Sequence, residues 1–111
     1  MEVFNHHLYE YRKGVRRLIL HTADASCLEA MAERLRRWDI AYAVFPLGSR
    51  RINIFFGAPR CVEVIRKMGK PSLTDYSDEE DFILGVLLGY DVVQQCERYL
   101  LQKERREPLT G

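Results

Sequence analysis

At 111 residues the chain is long enough for one hydrophobic core and too short for two, so it reads as a single domain, 1–111. Apolar residues make up 47% and charged residues 30%, the balance of an ordinary globular protein, and Lys plus Arg exceed Asp plus Glu by one. That near-neutrality excludes a global field able to draw the chain onto nucleic acid or a membrane surface.

Phe4, Leu8 and Tyr11 recur at helical spacing, with Asn5 able to cap and Gly14 placed to end the turn; they predict a short helix over 4–13. Val15 to Thr22 holds the run Leu18-Ile19-Leu20, a first strand covered on both faces. Asp24 or Ser26 starts the next helix, with Glu29 at capping-box distance from Ser26. Leu28, Met31, Ala32, Leu35 and Trp38 form its apolar stripe, opposed by Glu33, Arg34, Arg36 and Arg37. Ile40 to Leu47 is rich in strand formers, and Pro46, which has no N–H for a ladder, pushes this second strand to an edge.

Gly48-Ser49 turns the chain into a third strand, Arg51 to Phe56. Ile52, Ile54 and Phe56 point one way, and Arg51, Asn53 and Phe55 the other. So short a link makes these two strands antiparallel neighbours. Gly57-Ala58-Pro59 opens a helix lined by Val62, Ile65 and Met68 and stopped by Gly69 and Pro71.

Ser77 with Glu80 is a capping-box pair, followed by Asp81 at a helix N-terminus where the dipole favours acids. We read one helix from roughly 78 to 106, about 40 Å long at ~1.5 Å per residue, and stopped by Pro108. From Phe82 to Leu88 it is apolar all round; beyond Tyr90 the stripe narrows to Val92, Val93, Cys96, Tyr99 and Leu100. Gly85 and Gly89 each cost about 1 kcal/mol relative to alanine, so the pair predicts a close backbone approach. The apolar run is too short to span a bilayer.

The fold class is α+β: a three-stranded sheet with a β-α-β-β-α core, like a ferredoxin-like fragment, between a short N-terminal helix and a long C-terminal one. With the third strand in the middle, the helices would share one face, leaving a second face that the terminal helix could cover in the same chain or in a partner. Cys27, Cys61 and Cys96 are odd in number and lack CxxC spacing; they read as reduced, buried thiols of a cytoplasmic protein. The segment Met1 to His7 has neither the basic region nor the apolar run of a secretory signal.

Three groups of residues together carry a resemblance: His6-His7-Leu8-Tyr9-Glu10-Tyr11-Arg12-Lys13-Gly14, Arg51 to Gly57, and Glu79 to Gly85 with Leu88-Gly89-Tyr90-Asp91 and Gln95-Cys96-Glu97-Arg98-Tyr99. Over nearly its whole length the chain resembles an uncharacterised family of small bacterial proteins, a domain of unknown function. The resemblance implies three strands plus helices and a homodimer, brings no activity, and implies a flavodoxin-type redox protein as a neighbour.

Site by site, the residues favour structural roles. Adjacent His6 and His7 diverge by about 100° on a helix, and no metal-ligand spacing occurs, so neither a metal nor a cofactor is expected. Glu79, Glu80 and Asp81 are accounted for as first-turn acids rather than an acid–base pair. Arginine doublets and an outward Phe55 admit an RNA-binding sheet, but no RNP-type run is present. A polar partner or ligand site could gather His6, His7, Asn53, Asp91 and Arg98. The expectation is a non-enzymatic homodimeric interaction or regulatory module whose interface holds Phe82, Gly85, Val86 and Gly89. The alternatives are a small-ligand sensor at that interface and RNA binding.

Overall fold

The computed structural model describes residues 1–106. It contains five α-helices and three strands: α1 (Glu2–Arg12), β1 (Leu18–Asp24), α2 (Leu28–Arg37), β2 (Ala41–Leu47), β3 (Arg51–Gly57), α3 (Pro59–Met68), α4 (Asp78–Leu87) and α5 (Val92–Arg106). Single 3-10 turns, Ala25–Cys27 and Leu73–Asp75, precede α2 and α4. The sheet order is β1-β3-β2, and both pairings are antiparallel. Pro46 sits on the edge strand β2, where its missing N–H costs nothing.

Alternation along β3 divides the core. Ile52, Ile54 and Phe56 meet Ile19, Phe4 and Leu8 of α1, and Met31 and Leu35 of α2. Phe55 meets Leu18, Ala43, Val62 and Ile65 of α3, and Leu84 and Leu88 at the end of α4. Helices α1 and α2 thus cover one face, and α3 with α4 the other, which corrects the expectation that the core helices share a face; the second face is covered within the same chain, one of the two arrangements expected for it. Each face of a three-stranded sheet carries its own row of large apolar side chains, and each row needs a helical layer. Phe55 is 1% exposed, so it is no platform for a base. Asn53, on the same face, is buried with its Oδ1 accepting the Thr22 hydroxyl across the strand pair at 2.6 Å.

The single rod expected over 78–106 is two helices, and the residues Leu88-Gly89-Tyr90-Asp91 explain the break. Gly89 takes φ +83; its N–H bonds to Val86 O at 3.0 Å, and the Tyr90 N–H bonds to Gly85 O at 3.1 Å. This is the paired hydrogen bonding of a Schellman motif, with glycine at the left-handed position after the helix. Asp91 then caps the next helix, its Oδ2 accepting from the Gln94 N–H at 2.9 Å. A stop signal and a start signal in adjacent residues fold the rod back on itself. The same glycine-terminated ending closes α1 at Gly14 (φ +79), and Asp39 (φ 54) takes the corresponding place after α2. The expected stop at Pro108 lies outside the described residues.

The capping box at the start of α4 is present: Ser77 Oγ accepts from the Glu80 N–H, and Glu80 Oε1 accepts from the Ser77 N–H. Among the described residues, no helix is long and apolar enough to cross a membrane.

Candidate functional site

The α4–α5 hairpin is held from within by polar groups in an antiparallel ladder. Arg98 Nε and Nη2 donate to Asp81 Oδ2 and Oδ1 at 2.8 and 3.2 Å. Lys103 Nζ reaches Glu79 at 2.7 Å, and Arg106 Nε reaches the buried Asp78 at 3.1 Å. Acids at the α4 N-terminus thus face bases at the α5 C-terminus, each set also favoured by its own helix dipole. The Lys103 contact holds the Glu79 carboxyl below its usual range, and the hydrogen bonds that Arg98 donates to Asp81 raise the Arg98 guanidinium. Lys70, then the Ser77 N–H, lower Glu80 to about 2.

Close approach is bought at Gly85, where a Cβ would lie 2.0 Å from Oε1 of Gln95 on α5. The glycine predicted to touch another backbone or subunit therefore receives a side chain of its own hairpin. Gly89 ends α4 rather than meeting a surface. Of the four interface residues named from sequence, Phe82 and Val86 remain on an accessible face: Phe82 half-buried with its ring 5.7 Å from that of Tyr99, and Val86 38% exposed.

Around those two residues the hairpin presents an apolar strip. Val93, Cys96 and Leu100 recur at i, i+3 and i+7 along α5, with Val93 63% and Leu100 61% exposed. Phe82, Cys96, Tyr99 and Leu100 line a groove of about 270 Å³ between the helices. Ile83 carries the strip toward α3, where it shares a shallow hollow with Val64 and Met68; Ile83 and Val64 are 41% and 39% exposed. None of the fifteen residues of α5 is buried. Amphipathic helices draw most of their stability from packing an apolar face, and here that face is open. The sequence stripe Val92, Val93, Cys96, Tyr99 and Leu100 announced the apolar face; what it concealed was the fold-back, which puts one side of the stripe against α4 and leaves the other outside.

The polar set named from sequence does not assemble. His6 Nε2 contacts Glu10 at 3.0 Å, and the His7 ring lies 5.5 Å from that of His21, both on the sheet face covered by α1. Asn53 is buried on the opposite face, Asp91 caps α5, and Arg98 is held by Asp81. His7 and His21 are both lowered from the ordinary histidine value, chiefly by burial, with Arg16 next for His7 and His7 next for His21. Among the described residues no three His, Cys, Asp or Glu side chains form a metal-holding group. Cys27, Cys61 and Cys96 are free and half-buried.

A family model described as "Protein of unknown function (DUF2023)" matches residues 2–102, from α1 into the last turns of α5. Comparison with curated proteins finds no match.

Proposed function

We propose, for a chain that belongs to the DUF2023 family, a homodimeric interaction module without catalytic machinery, in which two α4–α5 hairpins pack their apolar strips together. The observation that carries this reading is the outward apolar strip formed by Phe82, Ile83 and Val86 of α4 with Val93, Cys96 and Leu100 of α5, a helix with no buried residue. Two antiparallel hairpins meeting face to face make a four-helix bundle, a common way to bury such strips.

Magnitudes favour a second copy. Burying a large aliphatic side chain contributes about 1.5–3 kcal/mol. Val64, Ile83, Val86, Val93 and Leu100 are on average about half exposed, so one copy supplies roughly 4–7 kcal/mol. A symmetric pair supplies about twice that, the scale of the 4–15 kcal/mol that association costs in rigid-body freedom. A formal net charge of +1 sets up little repulsion between copies. The α4 carboxylates, engaged in caps and ion pairs, support a scaffolding role for them. The three free cysteines suit a reducing cytoplasm. A flavodoxin-type redox protein is the heterologous partner proposed on the resemblance alone.

Light scattering over a concentration series tests the reading. A mass of twice the 13.1 kDa chain at tens of micromolar is expected. A monomer that stays soluble throughout that range would refute it.

A further inference from the structure

The outward strip crosses three helices. On one side of α4 is α5, across the groove of Phe82 and Tyr99; on the other is α3, across a hollow of about 450 Å³ where Val64 and Met68 meet Ile83. Lys70, just past the end of α3, holds Glu80, while Lys103 and Arg106 at the end of α5 hold Glu79 and Asp78. Helices α3 and α5 therefore both finish beside the start of α4 and run the same way on either side of it.

Their outer faces carry opposite charges at one spacing. On α3, Arg60, Val64 and Lys67 fall at i, i+4 and i+7; on α5, Glu97, Leu100 and Glu104 fall at i, i+3 and i+7. All six are exposed. Each pair of like charges is two turns apart, about 10.5 Å at ~1.5 Å per residue. Among the described residues the ion pairs of α5 are made by Arg98, Lys103 and Arg106, and neither Glu97 nor Glu104 has a cation. Lys67 likewise has no anion, and Arg60 meets only Glu63 of its own helix, with a side chain 92% exposed. A row of bases and a row of acids thus border the same apolar strip from opposite sides.

We propose that in the dimer the two-fold axis runs along α4, so that each copy's α5 lies over the α3–α4 hollow of the other, with Glu97 and Glu104 against Arg60 and Lys67. The inference rests on the hairpin pairing put forward above and adds to it the surface that each α5 meets. An axis across α4 would instead lay α3 on α3 and α5 on α5, base on base and acid on acid, and like charges in juxtaposition oppose docking. An axis along α4 exchanges the two sides and keeps the direction of each helix, so rows of equal spacing and opposite sign come together. The apolar strip supplies the association, and the exposed pairs at its rim choose the orientation.

The test uses two double variants of the full chain, Arg60→Glu/Lys67→Glu and Glu97→Lys/Glu104→Lys, read by sedimentation velocity at low salt, where rim charges are least screened. Each alone should associate about tenfold more weakly than the unchanged chain, or worse, because each sets like charges face to face. Mixed in equal amounts, the two should form a one-to-one pair within about threefold of the unchanged affinity, since both of its contacts again join opposite charges. The chain carrying all four substitutions should recover self-association in the same way. Circular dichroism melting checks that every variant is folded, as the exposure of all four positions leads us to expect. A monomeric unchanged chain would overturn the pairing and this inference together. If the unchanged chain pairs but either folded double variant pairs equally well, or mixing restores nothing, the pairing stands and this arrangement of it is overturned.

Discussion

Leu100→Glu is the most direct perturbation of the proposed pairing, because it alters the strip without touching the core. Leu100 is 61% exposed and lines the groove with Phe82, Cys96 and Tyr99. Its share of the burial is about 1–2 kcal/mol per copy, so a symmetric dimer loses roughly 2–4 kcal/mol from the missing apolar area. That weakens association at least ~30-fold, before the further cost of moving two carboxylates out of water. Within the monomer the change is mild, since a glutamate is a good helix former on an exposed face. Sedimentation velocity across a dilution series would read the association constant, with far-UV circular dichroism as the control for folding. Wild-type-like association of a folded Leu100→Glu chain would refute pairing through this strip.

Three further outcomes follow from local geometry. Gly57→Ala should destabilise the chain by more than about 2 kcal/mol in urea unfolding, because at φ +148 its Cβ would stand 2.2 Å from the Arg17 carbonyl oxygen, which the Ala58 N–H also holds. Asp39→Gly should stabilise it by about 0.5–1 kcal/mol, a rise of several degrees in melting temperature, since Asp39 bears the left-handed φ of 54 after α2. His7 and His21, whose folded pKa values lie below the ordinary 6.5, favour folding while neutral. That contribution is complete above pH 6.5 and is lost as pH falls through 6.5 toward the folded values. The urea midpoint should therefore drop between pH 7.5 and 5.5, and His21→Phe should flatten the drop. Glu80, lowered from 4.5 to about 2, adds its own loss as pH falls from about 4.5 toward 2, below that window.

Much of the sheet was legible because its signals are local. The alternation of Ile52, Ile54 and Phe56, the proline in β2 and the short β2–β3 link set strand order and pairing before any long-range contact is known. The capping box at Ser77 and Glu80 was equally plain. The break at Gly89 was not, because a glycine in an apolar helix has two readings, close packing or a left-handed stop. Only Asp91, taken as the cap of a new helix, separates them. Gly85 and Gly89 fall one on each side of that choice: the first admits Gln95, the second ends α4. The two-sided sheet was hidden for another reason. Arg51, Asn53 and Phe55 look like a half-polar outer face, yet Asn53 is satisfied across the strands by Thr22 and buried with Phe55. At the site, Phe82 and Val86 were legible, while Val93, Cys96 and Leu100 could be read as apolar but not as outward-facing, since that depends on the fold-back.

The fold-back also decides how order in α5 is secured. Its contacts to α4 join the Phe82–Tyr99 ring contact and Gln95 against Gly85 to a set of ion pairs, and exposed pairs such as Lys103–Glu79 contribute little individually. They can set the register of the hairpin, with Arg98 on Asp81 and Lys103 on Glu79, without stabilising it strongly. A fifteen-residue helix with no buried side chain is marginal in water on propensity alone. The missing stabilisation must come from burial, and the apolar area available for it lies on the outward strip of Val93, Cys96 and Leu100. Ion pairs that fix register and an open strip that supplies the free energy divide the work in a way that links helix order to association. In the proposed dimer the hairpin's polar ladder would position the strip, and the strip, covered by its counterpart, would hold the helix.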